Sequence, residues 1–311
     1  MKQTIIIIAI ILAVGIGAYI WYSYSSVSHQ AEELPIEQTE VDEQETETVT
    51  DEEEDAEEPT TSERGPQSTI GTSAGGNPIT AYHFGEGDTE LLFVGGTHGG
   101  YSANTSLVAF ALIDYLEANP NQLPNNLTVT VIPVLNPDGL AVATNQTSRF
   151  TIQNVTSNTD TRIASRFNAN NVDINRNFGC EWQAEGTWQN RTVSGGSEAF
   201  SEPEAQAIRN YVNTHQPAAA VVWYSAAGGV YASECRQGIL PETRTIMNQF
   251  ANASGYPAND SFDFYAITGD MVNWFASQNI PAISVLLTDR DNPEWDKNRA
   301  GIEALLNHFA R

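Results

Sequence analysis

Residues 166–178 read RFNANNVDINRNF, and this stretch carries the most specific fold signal in the chain. It places two arginines, Arg166 and Arg176, in a segment that is rich in asparagine. An arginine in a loop is usually a solvated surface residue, so the stretch by itself does not assign a function. The fold and function that it indicates become clear only together with the segments that precede and follow it.

Apolar runs alternate with helical patterns on both sides of that stretch. Buried strands are predicted at residues 90–95, 127–134, 218–224 and 281–288, and helices at residues 102–118, 241–253, 269–278 and 294–310. Nearly continuous apolar strands separated by helices are typical of an α/β domain whose sheet is covered on both faces. In such domains, functional sites gather at the carboxyl ends of the strands, and His98 follows such an end.

Seven motifs occur in order along the chain. They are GTSAGGNPITAYHFGEG (71–87), GGTHGG (95–100), NPDG (136–139), RFNANNVDINRNF (166–178), FSEPEAQAI (200–208), WYSAAGGVY (223–231) and FYAITGDMVNW (264–274). Together they resemble the zinc carboxypeptidase family, the carboxypeptidase A-like metallopeptidases, over nearly all of residues 68–310. This resemblance implies an α/β fold with a mixed, mainly parallel eight-stranded sheet flanked by helices.

The resemblance also implies a chemistry. In that family a histidine, a glutamate and a second histidine hold zinc, and another glutamate acts as general base. Three protein ligands leave one coordination position open for water, and the metal lowers the pKa of that water toward ~7. The resulting hydroxide attacks the peptide carbonyl while the base takes the proton. A chain with this complete set of side chains is expected to be a peptidase or amidase.

This chain departs from the family at most of those positions. His98 matches the first histidine, but the glutamate ligand falls on Tyr101 or Ser102 and the second histidine falls on Tyr224. The general base falls on Leu286, so no catalytic base is assigned. Because a catalytic zinc needs about three protein ligands, we expect a family member that lacks most of the metal site and holds no cofactor.

The substrate-binding positions of the family are retained. By the resemblance, Asn175 and Arg176 match the pair that grips the terminal carboxylate of a substrate, and a planar guanidinium suits such a bidentate contact. Arg166 matches the arginine that polarises the scissile carbonyl, and Tyr265 matches a mobile tyrosine that closes over the substrate. The expected partner is therefore a peptide or peptidoglycan-like ligand with a free carboxylate.

The N-terminus differs in character from the rest of the chain. Residues 5–22 form an uncharged apolar run of 18 residues, preceded by four residues that include Lys2. A helix of that length spans roughly 27 Å, close to the thickness of a bilayer core. Residues 1–4 are predicted to be cytoplasmic and residues 5–22 a single-pass transmembrane anchor, with the remainder extracytoplasmic. A cleaved signal peptide is the alternative.

An acidic segment follows the apolar run. Residues 31–64 contain 16 acidic residues and one basic residue, Arg64. Such a segment buries too little apolar surface to offset the entropy of ordering, so residues 23–64 are predicted to be a disordered linker. An acidic tail that binds cations or a partner is the alternative. Residues 65–311 form the predicted carboxypeptidase-like domain, whose lack of a basic run argues against nucleic acid as a partner.

The two cysteines, Cys180 and Cys235, both fall in the domain predicted to be extracytoplasmic. A disulfide is permitted there, and two buried free thiols are the alternative.

Three functions are consistent with these residues. The preferred one is a membrane-anchored pseudoenzyme that binds a peptide-like carboxylate. The second is an active metallocarboxypeptidase or amidase with an atypical zinc site, in which neutral Tyr or Ser oxygens and Asp270 assist His98. The third is a structural protein-interaction module on a stalk. The first is preferred because one imidazole holds zinc poorly, and loss of the base alone forfeits about 10²–10⁴ in rate.

Overall fold

The computed structural model of the protein describes residues 64–310. Within these residues the strands are β1 (Gln67–Thr72), β2 (Pro78–Phe84), β3 (Thr89–Val94), β4 (Leu127–Ile132), β5 (Glu185–Trp188), β6 (Arg191–Ser194), β7 (Ala219–Ser225), β8 (Gly229–Ala232), β9 (Ala258–Asn259) and β10 (Ala282–Leu287). The helices are α1 (Ala103–Ala118), α2 (Pro137–Thr144), α3 (Thr159–Ala164), α4 (Pro203–His215), α5 (Pro241–Ser254), α6 (Met271–Ser277) and α7 (Trp295–Phe309). Short 3₁₀ turns cover Gly99–Ser102, Pro120–Gln122, Ile152–Asn154 and Ile174–Arg176.

Eight of these strands form one mixed sheet in the order β1, β2, β4, β3, β7, β10, β8, β9. The four central strands, β4, β3, β7 and β10, run parallel to one another. Strands β1, β2 and β8 join antiparallel to their inner neighbours, and β5 pairs with β6 in a separate hairpin. The predicted α/β fold with an eight-stranded mixed sheet and flanking helices is confirmed.

The central strands are mostly apolar on both sides because helices cover both faces of the sheet. Side chains of a strand point alternately to opposite faces. In β3, Leu91 and Phe93 therefore pack in the core beneath α1, α5 and α7, whereas Leu92 and Val94 pack in the core beneath α4 and α6. This double burial explains why the strands appear in the sequence as continuous apolar runs.

Local chemistry sets the helix ends that frame the sheet. Helices α4 and α5 begin with Pro203 and Pro241, where the missing N–H would have no partner within the helix. Helix α5 ends at Gly255, whose φ of 76° is a left-handed conformation that glycine adopts without strain. Proline at the first position of both helices and glycine after the last residue of α5 therefore set these helix ends, and the apolar faces of the helices pack on the sheet.

The predicted single-pass membrane location is contradicted. A helix that crosses a bilayer needs about 20 predominantly apolar residues. Among residues 64–310, no helix has the length and apolar character to cross a membrane, and the longest, α1, has 16 residues. The run proposed as an anchor, residues 5–22, lies outside the described residues, as do residues 1–4 and the predicted linker up to residue 63.

Candidate functional site

A cleft of about 800 Å³ opens at the carboxyl ends of the parallel strands β3, β7 and β10. It brings together seven residues that the family resemblance singled out, namely His98, Arg166, Asn175, Arg176, Tyr224, Tyr265 and Leu286. Ser102 is buried in the turn before α1 and is not among the residues that line the cleft. The sheet therefore gathers into one place side chains that are widely separated in the sequence.

His98 lies in the loop after β3, at the start of the turn Gly99–Ser102. Gly99 has φ 45°, and a Cβ there would lie 2.6 Å from the Ser165 carbonyl oxygen, so only glycine fits. The His98 ring is buried, and neither Nδ1 nor Nε2 has a hydrogen-bond partner within residues 64–310. Nε2 lies 3.7 Å from Asp173 Oδ1, which is too long for a hydrogen bond.

The electrostatic surroundings keep His98 neutral. Burial lowers the pKa of His98 well below its usual value, and the positive charge of Arg166 lowers it further. Arg176 and Arg290 act in the same direction, and Asp173 opposes them only in part. A neutral imidazole has one N–H donor and one bare nitrogen, and no described residue forms a hydrogen bond with either nitrogen of His98.

Strand register places Tyr224 beside Leu286. The two residues are direct partners in the parallel pairing of β7 with β10. The Tyr224 hydroxyl donates to Asn175 Oδ1 at 2.8 Å, and burial raises its pKa well above the usual value, so it remains a neutral phenol. Its ring centroid lies 5.4 Å from that of His98. We call His98, Tyr224 and Leu286 the histidine side of the cleft.

Arg166 is fixed by a buried ion pair with Asp173. The Arg166 Nε and Nη2 atoms lie 2.9 and 2.8 Å from Asp173 Oδ2. Burial alone would raise the pKa of Asp173, but the Arg166 charge and hydrogen bond outweigh burial and lower it. The Arg166 guanidinium also lies 4.5 Å from the ring centroid of Trp188, which holds it against the β5–β6 hairpin.

Arg176 is also buried, but backbone carbonyls rather than a carboxylate hold it. Its Nη1 donates to the Asn175 carbonyl at 2.7 Å, and its Nε and Nη2 donate to the Thr187 carbonyl at 3.2 and 2.6 Å. A Cβ at residue 186 would lie 2.6 Å from Arg176 Cδ, so Gly186 makes room for the side chain. We call Arg166, Asn175 and Arg176 the arginine side of the cleft.

The local chain explains how Asn175 and Arg176 are presented. Both lie on the 3₁₀ turn Ile174–Arg176, which Asp173 caps by accepting a hydrogen bond from the Asn175 N–H at 3.1 Å. Asn175 Oδ1 also accepts from the Met271 N–H at 3.2 Å, at the start of α6. The motif VDINRNF therefore encodes both the turn and the groups that hold it.

An aromatic wall closes one end of the cleft. The Tyr265 ring centroid lies 5.9 Å from the Arg176 guanidinium carbon, and Phe262 packs edge-on against Tyr265 at 5.0 Å. Phe264 follows the same wall toward the solvent and is 68% exposed. Tyr265 therefore lies over the arginine side, and an exposed aromatic ring marks the mouth of the cleft.

Three further groups of the cleft were missed or only partly expected from the sequence. Arg290 lies in the loop after β10, and its guanidinium carbon is 4.5 Å from the ring centroid of Tyr101. Asp270, at the start of α6, is buried, and burial raises its pKa to about 6 although Arg176 opposes this. Cys180 and Cys235 form a disulfide in the cleft wall. A position just after a parallel strand is the one sequence signal that marks Arg290.

The donor set does not fit zinc. Within residues 64–310, no three His, Cys, Asp or Glu side chains are grouped so as to hold a metal ion. The Asp173 carboxylate forms an ion pair with Arg166, and the Tyr224 hydroxyl donates a hydrogen bond to Asn175. The Leu286 side chain has no atom that could coordinate a metal. Positive charge also surrounds the one available imidazole, that of His98, and repels a dication. No metal-dependent step is therefore assigned to this cleft.

A sequence model of zinc carboxypeptidases matches residues 60–297. The chain belongs to the zinc carboxypeptidase family. This confirms the family predicted from the seven motifs, while the side chains of the cleft differ from those that a zinc enzyme of the family needs.

The relatives of this family member are distant. It is 25% identical over 244 residues to gamma-D-glutamyl-L-diamino acid endopeptidase 1 of Lysinibacillus sphaericus, covering 72% of this chain and 61% of that protein. Murein-tripeptide amidase MpaA from Escherichia coli O157 is 20% identical with a TM-score of 0.54, over 78% and 92% of the two chains. Bovine thrombin-activatable fibrinolysis inhibitor is 15% identical with a TM-score of 0.62, over 78% and 89%. These two structures share the fold.

Proposed function

We propose that this family member is a pseudoenzyme that binds a peptide-like ligand through its C-terminal carboxylate and does not hydrolyse it. The observation that carries the proposal is Arg176, a buried guanidinium that forms no ion pair with a carboxylate among residues 64–310. Arginine has five N–H donors, and three of them are used on carbonyl oxygens. Two donors are left for a ligand.

The immediate surroundings of Arg176 support a carboxylate as that ligand. A buried charge is costly unless it is paired, and an incoming carboxylate supplies the missing partner. The Asn175 turn holds the guanidinium in place before the ligand arrives, so little side-chain entropy is lost on binding. The Tyr265 ring lies over the same group, with its centroid 5.9 Å from the guanidinium carbon. The Arg166 charge, by contrast, is already satisfied by Asp173.

The histidine side supports the absence of hydrolysis. Hydrolysis of a peptide bond needs an activated water, and activation needs a metal or a positioned base. Leu286 contributes only an apolar surface at the position of the family's general base, and Tyr224 is a neutral phenol. Asp270 is the carboxyl in the cleft with a pKa near 6, but Arg176 rather than His98 is the charge that acts on it most.

The nature of the ligand is suggested by two relatives. Their names describe a murein-tripeptide amidase and a gamma-D-glutamyl-L-diamino acid endopeptidase. Both names refer to peptides of the bacterial cell wall or to the residues found in them. We therefore propose a peptidoglycan-like peptide with a free C-terminal carboxylate as the ligand of this cleft.

The test is a binding comparison by calorimetry on the full chain, using one short peptide as its free acid and as its C-terminal amide. We expect the acid to bind and the amide to bind far more weakly. Arg176→Gln should weaken binding of the acid by about thirtyfold or more, the effect of removing one partner of a buried charge pair. It should change binding of the amide little.

A parallel assay follows the same peptides by mass spectrometry after prolonged incubation, and we expect no cleavage. Thermal unfolding of Arg176→Gln controls for loss of structure. Equal affinities for the acid and the amide would contradict recognition of the C-terminal carboxylate. Peptide cleavage that Arg176→Gln abolishes would show an active enzyme instead.

A further inference from the structure

Arg290 is a cation of the cleft that the proposed carboxylate clamp does not use. It lines the cleft from the loop after β10, and its buried Nε has no hydrogen-bond partner in the described part of the chain. The neighbouring acids are committed elsewhere. Asp289 Oδ1 accepts the backbone N–H groups of Asp291 and Asn292, and the Asp291 carboxylate pairs with Arg162 at 3.1 Å. Among residues 64–310, Arg290 therefore forms no ion pair.

Arg290 lies against the Tyr101 ring, which Arg166 also approaches. Its guanidinium lies 4.5 Å from the Tyr101 ring centroid, and the Arg166 guanidinium lies 5.7 Å from the same centroid. Stacking on that ring holds the Arg290 side chain without using its N–H donors. Arg290 also acts electrostatically on His98, whose two ring nitrogens have no hydrogen-bond partner within residues 64–310. Both side chains line the same cleft and present polar nitrogens that no described residue uses.

The charge balance of the inner cleft favours an anion there. Arg166 is neutralised by Asp173, whereas neither Arg176 nor Arg290 forms an ion pair within residues 64–310. One buried acid, Asp270, also lines the cleft, and Arg176 is the charged group that acts on it. The acidic residues that line the mouth are exposed to solvent, where their charges are screened: Glu181, Glu234, Asp260 and Asp263. Two separate cations therefore remain for the ligand, and only one of them belongs to the clamp.

We propose that the cleft has a second anion-binding position, formed by the Arg290 guanidinium and the N–H of His98, and that the ligand carries a second carboxylate besides its C-terminal one. This inference rests on the proposed function, because the first carboxylate is the one held by Asn175 and Arg176. A planar carboxylate matches the paired N–H groups of a guanidinium, and the neutral imidazole adds one further donor.

The experiment measures calorimetric affinities of the full chain for four free acids. Acetyl-Ala-Ala carries one carboxylate, whereas succinyl-Ala-Ala, acetyl-Glu-Ala and acetyl-Ala-Glu carry a second one at three different positions. We expect at least one of the dicarboxylates to bind about tenfold more tightly than acetyl-Ala-Ala, the gain from one hydrogen bond to a charged group. A higher salt concentration should reduce this gain in affinity less than it would reduce a gain at a solvent-exposed site, because salt screens buried charges less.

Substitutions test which residue produces the higher affinity for the dicarboxylate. Arg290→Gln should abolish it and leave the affinity for acetyl-Ala-Ala unchanged within about twofold, whereas Arg290→Lys should retain part of it. Arg299→Gln, on the exposed face of α7, is the matched control and should retain all of it. Circular dichroism and thermal unfolding check that Arg290→Gln is folded.

The outcomes separate this inference from the proposed function. If acetyl-Ala-Ala binds and no dicarboxylate binds more tightly, the second position does not exist and the clamp stands. A gain that survives in Arg290→Gln also overturns the assignment. If no free acid binds the wild-type chain, the proposed function itself fails.

Discussion

The arginine side and the histidine side face the same cleft but differ in how their polar atoms are satisfied. On the arginine side, Arg166 pairs with Asp173, and the Arg176 guanidinium donates three hydrogen bonds to carbonyl oxygens. On the histidine side, both ring nitrogens of His98 lack hydrogen-bond partners within residues 64–310, and Leu286 supplies an apolar surface. The guanidinium groups of the arginine side are therefore held by neighbouring protein atoms, whereas the His98 imidazole is not held by any described hydrogen-bond partner.

This difference teaches that binding and catalysis have separable structural requirements within one fold. Much of the arginine side depends on one local segment, because Asp173 in the same turn and Thr187 in the adjacent hairpin hold Asn175 and Arg176. Tyr224 and Met271 add two hydrogen bonds to Asn175 Oδ1 from more distant elements. A catalytic zinc site needs donors from several distant strand ends at once. Substitution at any of those ends removes the site, while the local motif is unaffected.

The largest effect is expected from breaking the ion pair of the arginine side. Asp173→Asn leaves the buried Arg166 guanidinium without its counter-charge and weakens the cap of the 3₁₀ turn. We expect a loss of about 3–5 kcal/mol in the free energy of unfolding, the usual cost of breaking a buried pair. Urea unfolding monitored by fluorescence measures it.

Asp291→Asn is the matched control, because its pair with Arg162 is largely exposed and should contribute less than about 1 kcal/mol. Similar losses in the two variants would mean that the arginine side is not a preorganised unit.

A smaller effect is expected from pH, through Asp270. Burial raises the pKa of Asp270 to about 6, and the positive charge of Arg176 opposes this rise. As the pH rises through about 6, Asp270 gains a negative charge close to the clamp. The affinity for a free carboxylate should therefore fall, by roughly threefold to tenfold, which corresponds to half to one pKa unit of interaction.

Asp270→Asn should flatten this pH profile between pH 5 and 7. The same raised pKa means that the folded state binds a proton more tightly than the unfolded chain. The stability of the wild type should therefore decrease as the pH rises from about 4 to about 6, and that of the variant should change less. A profile that is identical in both proteins would exclude Asp270 from the clamp.

The smallest effect is expected from Tyr224→Phe, which links the two sides. The change removes the hydroxyl that donates to Asn175 Oδ1, but that oxygen still accepts from the Met271 N–H. We expect a loss of about 1 kcal/mol in stability and less than threefold in carboxylate affinity, measured by thermal unfolding and calorimetry. A loss of affinity above tenfold would mean that Tyr224 contacts the ligand itself.

Much of the fold could be predicted because its central strands are buried on both faces. The apolar runs that predicted β3, β4, β7 and β10 end within one or two residues of the observed strands. Strands β8 and β9 have four and two residues, too few to show a hydrophobic period, so neither strand was predicted separately. The formation of such short strands depends on pairing with the neighbouring strand of the sheet.

The cleft was predictable only where the family motifs reach it. Those motifs identified His98 and Arg176, but they did not indicate that Asp173 would occupy the Arg166 guanidinium. Arg290 was missed because it lies in an irregular loop, and its approach to Tyr101 depends on how two strand ends meet in space. Partners that are brought together by tertiary packing leave no spacing pattern in the sequence.

The most direct test of the central claim, that the cleft keeps its anion-binding groups but cannot hold zinc, is elemental analysis of the purified full chain after mild dialysis. The account predicts far less than one zinc ion per chain, because His98 is the only side chain of the cleft that matches a family ligand. One tightly held zinc ion per chain would contradict it.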